Sequence, residues 1–560
     1  MEKDFFEQSK HRSLLFILAI LSYVLLMLGN GIISLTHPDE VFYVQTVKEM
    51  LAHKSWLTPI IFDQPHFEKP ILFFWMLAVV IKFFGLSPFV ARFWPAFFGM
   101  VGVGAVYGIA LMLFQRKRLA FFSSIILASS FIYLALSRAV LTDMVFTIFV
   151  TISIGFFYTG YQYERYRVGA IILSFVTSAL AVLTKGILGF LFPTLVVFLF
   201  LIYRKDLVFL KSSSVFWGLL LFVLIALPWH VFMVKLYGQR FIDEYIFNVH
   251  IRRFFEAEHA KLNHWYFYPG LMFAGILPWT FYLGPAAVLA SQHVINKNDG
   301  HFKLFFLFSW IAGVFVCIEP AASKLASYIF PVFPAIAIII AYYLDYVLIL
   351  AQKGVRLRAF HICHYLMILF FIGIAFAGII AAKMYRDILV NILPVYCAAT
   401  LLVVVIGCLI FFKKCQDYVK MVLTPCTVTF ILLITLFFVR PYVETWVSCK
   451  DISEVFKRLN DQSDTVVLTS KFYVRGVRYY TDRKMAVIDV NGKGFFSPHP
   501  IPFLNTDQKV LEFLESQPIT YAIVKEGNKR DLERINSHGR FKIETLEGLG
   551  GKYLLKIEKI

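Results

Sequence analysis

Long apolar stretches alternate with short polar links along most of the chain, and this alternation predicts a protein that crosses a membrane many times. A helix rises about 1.5 Å per residue, so roughly 20 apolar residues span the hydrocarbon core of a bilayer. We predict about thirteen transmembrane helices, at 14–35, 89–114, 119–136, 143–161, 168–184, 187–202, 214–236, 269–290, 302–318, 326–348, 360–381, 391–412 and 421–439.

Two further apolar features lie near the N-terminus. The stretch 71–85 is too short for a confident span and follows Pro70, so we predict an interfacial or re-entrant helix in the first outside loop. The stretch 14–35 is longer than the core of a signal peptide and lacks a small-residue cleavage site. We therefore expect it to remain as the first membrane anchor.

After Arg440 the composition changes to short strand-like runs separated by helical patterns. The alternation of these runs predicts a small α/β domain. The expected strands are 465–468, 485–490, 520–524 and 553–557, and the expected helices lie around 451–460 and 507–516. The predicted fold class is thus an all-α polytopic membrane domain, 1–440, followed by a C-terminal α/β domain, 441–560.

The distribution of charge predicts which side of the membrane each link occupies. The chain has 54 Lys and Arg against 36 Asp and Glu, a formal net charge of +18. Short basic links are typical of the cytoplasmic side. They fall at alternate positions, which puts the N-terminus in the cytoplasm and, with an odd number of spans, the C-terminal domain outside. The basic links are 115–118, 164–167, 203–206, 291–301, 352–358 and 413–420.

Composition excludes several other classes. Hydrophobic residues make up 59% of the chain and charged residues 16%, which is unlike a soluble domain. No basic patch is interleaved with aromatic residues as in a nucleic-acid-binding surface, so nucleic acid is not an expected partner. The seven cysteines form no CxxC pair, and Cys449 stands alone in the C-terminal region, so we interpret them as structural.

The outside links carry ionisable groups next to the ends of spans, where such groups are often functional. Acidic candidates are Asp39 and Glu40 directly after the first span, Glu68 before Pro70, and Asp143 at the start of another span. Each has a structural alternative, because acids also suit the first turn of a helix or pair with a neighbouring base. Basic and polar candidates on the same face are Lys69, Arg138, Lys185, His250, Arg252, Arg253, Lys324 and Tyr328.

This mixture suits chemistry on a phosphate. Lys and Arg bind a phosphate and stabilise it as a leaving group. A carboxylate accepts a proton from an attacking hydroxyl group or orients it. Glu68 and His250 are of the types that hold a divalent metal, although two ligands alone are too few for a strong prediction.

Several motifs make the chain resemble the multi-spanning glycosyltransferases that use lipid-phosphate sugar donors. That superfamily includes protein O-mannosyltransferases and lipid A 4-amino-4-deoxy-L-arabinose transferases, and the resemblance is greater to the second branch. It covers most of residues 30–340. The motifs are Asp39-Glu40-x-x-Tyr43, His66-Phe67-Glu68-Lys69-Pro70-Ile71, Arg138 with Asp143, Leu183-Thr184-Lys185-Gly186, His250-x-x-Arg253-Phe254, Leu277-Pro278-Trp279 and Ser323-Lys324-Leu325-x-x-Tyr328-Ile329-x-Pro331.

The resemblance implies roles for these residues. Asp39 would be the catalytic carboxylate, with Glu40 and Asp143 as further acidic candidates, and Tyr43 and Arg252 would line the sugar cavity. Glu68 and His250 would bind a divalent ion, zinc in that branch, with no nucleotide or organic cofactor. The groups implied to bind the donor phosphate or support its cavity are Lys69, Arg138, Lys185, Arg253, Lys324 and Tyr328.

The resemblance also implies partners and a location. The donor would be a polyprenyl-phosphate sugar, and the acceptor would be lipid A at the outer face of a bacterial inner membrane. Two departures leave the substrate open: Phe42 stands where that family often has Arg, and the C-terminal domain carries no matching motif. The open alternatives are a protein Ser/Thr or polysaccharide acceptor, a lipid-linked sugar transporter or flippase, and a non-catalytic lipid-binding protein.

Overall fold

The computed structural model of the chain describes residues 6, 9–257, 262–386, 391–462, 464–495 and 499–560. Its backbone forms two compact units, each built from separate segments of the sequence. The first unit contains Met1–Asn30, Arg92–Leu236 and His250–Phe438, and the second contains Gly31–Ala91, Tyr237–Val249 and Val439–Ile560. The division into 1–440 and 441–560 that composition favours stays a prediction.

Nine helices within the described ranges are long and apolar enough to cross a membrane. Because these helices expose many large apolar side chains, a lipid environment accounts for their surface. The protein is therefore a multi-pass membrane protein. The nine are Pro88–Phe114, Thr142–Gln162, Glu164–Lys185, Ser213–Tyr237, His301–Ile318, Ala326–Gln352, Arg358–Met384, Leu393–Lys414 and Tyr418–Val447.

Two of the predicted spans are broken. Lys117–Ala128 and Phe131–Ser137 meet at a bend of 64°, and Phe267–Gly275 and Thr280–Ile295 meet at 110°. At the first break the hydroxyls of Ser129 and Ser130 donate to backbone carbonyls, which competes with the helical hydrogen-bond pattern.

The second break contains Pro278, which has no N–H to donate. Counting each bent pair as one span gives at most eleven spans among the described residues, so the prediction of thirteen is not confirmed.

The remaining apolar helices are shorter. His11–Met27, Leu188–Arg204 and Leu72–Phe84 have between 10 and 17 residues each. The helix predicted at 71–85 is thus present as Leu72–Phe84. Other helical segments are Asp39–Ala52, Leu207–Lys211, Gln239–Phe241, Ile242–Arg252 and Arg253–Phe255. Three of the spans begin with a short helical segment, Glu164–Tyr166, Ala326–Val332 or Tyr418–Leu423, and continue as Arg167–Lys185, Phe333–Gln352 and Cys426–Val447.

The core of the first unit surrounds the helix Phe333–Gln352, whose side chains are buried on nearly every face. Its one acid, Asp345, is buried as well. The Asp345 carboxylate accepts from Arg118 Nε at 2.7 Å and from Arg116 Nη1 at 2.9 Å. A buried carboxylate is costly unless it is paired, so these two arginines explain how the apolar helix accommodates an acid.

The second unit contains a six-stranded sheet, which confirms the predicted small α/β region. Its spatial order is Phe503–Leu504, Lys484–Ile488, Val466–Ser470, Ile519–Lys525, Lys552–Lys559 and Phe541–Leu549. The first four strands pair in parallel, and Lys552–Lys559 pairs antiparallel with both of its neighbours, Ile519–Lys525 and Phe541–Leu549. The helices of this region are Lys450–Leu459, Val474–Thr481, Asp507–Glu515 and Glu526–Ile535.

The segment 31–91 belongs to the same unit as the sheet. It contains the helix Asp39–Ala52, a hairpin of Ile60–Ile61 with Gln64–Pro65, and the helix Leu72–Phe84. The helix Val474–Thr481 packs against Asp39–Ala52. Gly476 allows the helix Val474–Thr481 to approach Cys449 and His37, because a Cβ atom there would lie 2.9 Å from Cys449 Sγ and 3.2 Å from His37 Cβ.

Candidate active site

The acid pair after the first span opens a helix. Asp39 and Glu40 occupy the first turn of Asp39–Ala52, where the helix dipole favours negative charge. Glu40 is buried, and its Oε2 accepts from both the backbone N–H and the hydroxyl of Thr36 at 2.9 Å. These bonds stabilise the turn before the helix. They favour a structural role for Glu40 and leave Asp39, which is exposed, as the better candidate for chemistry.

Tyr43 lies among aromatic rings one turn into the same helix. Its ring packs edge-on against Phe73 at 5.3 Å and against Phe42 at 5.0 Å between centroids. The ring is buried, so its position is fixed by the packing of Asp39–Ala52 against Leu72–Phe84. The structure thus places Tyr43 in an aromatic core of the second unit.

Glu68 lies in a partly buried cluster of nitrogen donors. Its Oε2 is 3.6 Å from His66 Nε2 and 3.6 Å from Arg475 Nη2. His66 is only 3% exposed, and its Nε2 has no hydrogen-bond partner among the described residues. Lys69, the next residue after Glu68, is also partly buried. The motif quoted above therefore brings an acid and a buried imidazole together, whereas Arg475 comes from the C-terminal region and was not predicted.

His37, two residues before Asp39, is not a cation at neutral pH. Burial lowers the pKa of its imidazole to about 4, and the positive charge of Lys552 contributes further. Its Nδ1 lies 3.5 Å from Cys449 Sγ, and its ring packs against Phe472 and Tyr473. His37 is therefore part of the packing around the acidic turn.

In the first unit, Lys185 and Asp143 form a buried ion pair. Asp143 lies in the first turn of Thr142–Gln162, and Lys185 is the last residue of Arg167–Lys185. The Lys185 ammonium also lies 4.8 Å from the centroid of the Tyr328 ring. The structure thus brings together three residues that the sequence singled out on three separate links.

Lys324 has a similar environment in the same unit. Its Nζ donates to Glu319 Oε1 at 2.7 Å and lies 5.2 Å from the centroid of Tyr268. Lys324 is 2% exposed, and the other oxygen of Glu319 has no hydrogen-bond partner in the described part of the chain. Glu319 and Tyr268 were not predicted. Glu319 had a signal, since it begins the same short link that contains Lys324.

Arg253 is buried next to that link. Its carbonyl accepts from the N–H of Ser323 at 3.1 Å, which ties the segment around Arg253 to the residue before Lys324. His250 lies in the helix Ile242–Arg252 and is partly buried. The segment Ile242–Arg252 is a π-helix, which has more residues per turn than an α-helix, and Arg253 begins the next segment. The shared face expected for His250 and Arg253 therefore stays a prediction.

Two predicted residues have other partners. Arg252 Nε donates to Glu256 Oε2 at 2.7 Å, and both side chains are largely exposed. Arg138 donates to the carbonyls of Leu25 and Leu28 at 2.8 and 2.9 Å. These last carbonyls of the first helix lack helical partners, so Arg138 caps that helix. This geometry favours structural roles for both arginines.

The metal prediction finds limited support in the geometry. No three His, Cys, Asp or Glu side chains of the described residues are arranged to hold a metal ion. Glu68 instead has a guanidinium within 3.6 Å. A closed structural zinc site requires four ligands and a catalytic one usually three. The described side chains therefore do not fit a complete metal site.

Comparison with known proteins relates the sequence to sugar transferases. A model of the dolichyl-phosphate-mannose-protein mannosyltransferase family matches residues 12–240. An undecaprenyl phosphate-alpha-4-amino-4-deoxy-L-arabinose arabinosyl transferase from Photorhabdus laumondii is 26% identical over 324 residues, which are 58% of this chain and 57% of that protein. A second such transferase, from Proteus mirabilis, is 29% identical over 343 residues, 60% of each chain.

Part of the chain is thus similar in sequence to transferases whose names specify lipid-phosphate sugar donors. This relation confirms the resemblance that the motifs indicated. The match spans about three fifths of the length of these arabinosyl transferases.

The fold agrees over a longer part of the chain than the sequence does. The crystal structure of ArnT from Cupriavidus metallidurans bound to undecaprenyl phosphate superposes with a TM-score of 0.79, covering 98% of both chains at 17% identity. The C-terminal α/β region is therefore part of the shared fold, although no motif in it was recognised.

Proposed function

We propose that the protein is a glycosyltransferase that moves 4-amino-4-deoxy-L-arabinose from a polyprenyl-phosphate donor to a phosphate of lipid A. The observation that carries the proposal is the pair of buried lysines in the first unit. Lys185 and Lys324 each have a carboxylate partner and each lie against a tyrosine ring. Buried ammonium groups at the ends of spanning helices suit the recognition of a phosphate at the membrane surface.

The relatives support the choice of donor and sugar. Their names specify undecaprenyl phosphate and 4-amino-4-deoxy-L-arabinose, and the ArnT crystal structure contains undecaprenyl phosphate. We extend both to this chain. Membrane lipids and the lipid-linked donor are then its partners, and the acceptor is an extracytoplasmic lipid.

The reaction is one in-line displacement at the anomeric carbon. An acceptor oxygen attacks that carbon, the bond to the polyprenyl-phosphate oxygen breaks, and its electron pair leaves with the phosphate, so the configuration inverts. Positive charge stabilises the oxygen on which negative charge develops. Lys69, Lys185, Lys324 and Arg253 are the cations proposed for this role, and Tyr328 is proposed to contact the same phosphate.

Asp39 is the proposed catalytic carboxylate. A lipid A phosphate is already ionised at neutral pH, so Asp39 orients this acceptor and need not remove a proton. With a hydroxyl acceptor, Asp39 accepts the proton as the oxygen attacks. Glu40 and Asp143, the other acidic candidates, have the structural partners described above.

Metal binding by Glu68 and His250 remains a proposal taken from the resemblance. Elemental analysis of the purified protein by mass spectrometry, compared with a Glu68→Gln variant, tests it. Stoichiometric zinc in the wild type and its loss in the variant would support it.

The topology is likewise proposed from the loop charges. The N-terminus lies in the cytoplasm, and the candidate residues and C-terminal domain face the periplasmic side of the inner membrane. Cysteine-accessibility labelling at an exposed position of the 115–118 link and at an exposed position of the C-terminal domain tests the orientation.

A transfer assay with purified protein tests the proposed activity. The assay supplies the undecaprenyl-phosphate-linked aminosugar and lipid A in detergent and measures the product by mass spectrometry. We expect Asp39→Asn to lower kcat by about 10²-fold or more, because the carboxylate is lost while the side chain keeps its size. Glu164→Gln, on a largely exposed side chain, is the matched control. Wild-type turnover by a correctly folded Asp39→Asn variant would exclude Asp39 from the chemistry.

The family match to protein mannosyltransferases favours one alternative acceptor, a protein Ser or Thr, and a polysaccharide hydroxyl is chemically equivalent. Lipid A isolated from cells with and without the gene distinguishes these acceptors. An added aminosugar on phosphate supports the proposal, and unchanged lipid A supports a hydroxyl acceptor. Lipid-linked sugar that crosses vesicles without transfer would indicate a flippase.

A further inference from the structure

The helix Val474–Thr481 carries two arginines one turn apart, and they have different environments. Arg478 is fully engaged: it donates to Asp63 at 2.8 Å, to Glu49 at 3.2 Å and to the carbonyl of Arg483 at 3.1 Å. These partners are typical of an arginine that holds a helix in place. Arg475 contacts different groups.

Arg475 reaches the Glu68 cluster. Its Nη2 donates to His499 Nε2 at 3.0 Å and lies 3.6 Å from Glu68 Oε2, which is beyond a normal hydrogen bond. Its Nε is buried and has no hydrogen-bond partner among the described residues. The Nε of Arg475 can therefore still donate a hydrogen bond. A small shift of the side chain would bring the guanidinium within hydrogen-bonding distance of the Glu68 carboxylate.

The same guanidinium lies against the helix that begins with Asp39. It is 4.4 Å from the centroid of the Phe42 ring. Phe42 is three residues after Asp39, so the two side chains lie on one face of the helix. A guanidinium stacked on an aromatic ring keeps its N–H edge directed sideways, towards acceptors in its plane. Arg475 thus touches the Asp39 helix and Glu68 at once.

We propose that Arg475 is a positioning residue for Glu68, so that the C-terminal domain contributes directly to the sugar-transfer site. Stacking on Phe42 holds the guanidinium, and the guanidinium orients the Glu68 carboxylate. The inference rests on the proposed function. It assigns a role to a residue in the part of the chain where the sequence shows no recognisable motif.

The test compares Arg475→Gln, Arg475→Lys, Glu68→Gln and the double variant Arg475→Gln/Glu68→Gln in the transfer assay. The control is Arg530→Gln, an exposed arginine of the same domain that pairs with Glu526. We expect Arg475→Gln to lower kcat by about 10- to 100-fold with little change in KM for the donor. Arg475→Lys should recover part of the loss, because it restores the charge without the planar fork.

The double variant separates positioning from a structural role. If Arg475 acts through Glu68, its removal costs no further activity once Glu68 is already replaced. Wild-type kcat in Arg475→Gln, or full additivity of the two losses, overturns the inference.

Folding and activity failures are distinguishable. If Arg475→Gln alone does not fold, Arg475→Lys serves as the folded single variant. The double variant leaves no unpaired charge, so it still shows whether the losses of activity at Arg475 and Glu68 are coupled. Absence of transfer by the wild-type protein would refute the proposed function, whereas wild-type transfer with an unaffected Arg475→Gln refutes only this inference.

Discussion

The buried pair of Lys185 and Asp143 allows a stability effect to be separated from an effect on transfer. Both side chains are only 8% exposed. Replacing Asp143 with Asn leaves Lys185 buried without the opposite charge of Asp143. Replacing Lys185 with Met leaves Asp143 buried without the positive charge of Lys185. The double variant Asp143→Asn/Lys185→Met removes both charges and keeps the volumes similar.

The magnitude follows from burial. Breaking a buried ion pair by removing one partner typically costs about 3–5 kcal/mol, because the remaining charge is desolvated and uncompensated. In Asp143→Asn the Tyr328 ring, 4.8 Å from Lys185, and the Phe146 ring, at 5.5 Å, still face the ammonium. We therefore expect about 3 kcal/mol for Asp143→Asn and a loss within the range of about 3–5 kcal/mol for Lys185→Met. The double variant should return to within about 1 kcal/mol of the wild type or exceed it.

The free energy of unfolding is measured by denaturant titration in mixed micelles, next to the transfer assay. The control is Glu164→Gln, which breaks the exposed pair of Glu164 and Arg167 and should cost below about 1 kcal/mol. Transfer should stay about 10²-fold below wild type in the double variant, because a phosphate-binding cation is missing even when stability is restored.

Two results would refute this reasoning. If the double variant is as unstable as the single variants, the two charges do not compensate each other. If the double variant transfers sugar at the wild-type rate, Lys185 does not act on the donor phosphate. The first result tests the stability argument and the second tests the role of Lys185 in transfer, so either claim can be refuted while the other holds.

Two further predictions concern the second unit. Arg478→Gln should lower the free energy of unfolding by about 3 kcal/mol, since the buried Glu49 keeps its hydrogen bonds from Gln45 and from the N–H of Asp63 but loses its cationic partner; a value no larger than that of Arg530→Gln would contradict it. Between pH 6.5 and about 4, the unfolded chain binds a proton that folded His37 excludes, so the wild type should lose about 3 kcal/mol as the pH falls through this window. His37→Gln should flatten that dependence in thermal unfolding scans, and an unchanged slope would show that another group is responsible.

Most helices could be predicted from the sequence because an apolar stretch long enough to span a bilayer is a local signal. The breaks could not. Ser129 and Ser130 interrupt an apolar run without changing its hydropathy much, and their effect depends on hydroxyls that turn back to the backbone. The strand Phe541–Leu549 was missed because charged and polar residues interrupt its apolar positions, and its one sheet partner among the described residues is Lys552–Lys559.

The candidate site residues could likewise be predicted from the sequence, but their contacts could not. The sequence singled out Asp143, Lys185 and Tyr328 because each ionisable or polar group stands beside a spanning helix, where it is costly and therefore informative. It could not show that Asp143 neutralises Lys185, or that Arg138 caps the first helix, because these contacts depend on how the helices pack.

By itself the sequence determined that this is a multi-pass membrane protein with a C-terminal α/β region. It also determined that the links between spans carry ionisable residues of the types that bind a phosphate. Hydrophobic length, charge asymmetry and motif spacing depend on residues that are close in the sequence, so they can be recognised without knowledge of the fold. Only the tertiary structure decided the partners of each charge. Arg475 meets Glu68 across about 400 residues of chain, and such a contact leaves no trace in local composition.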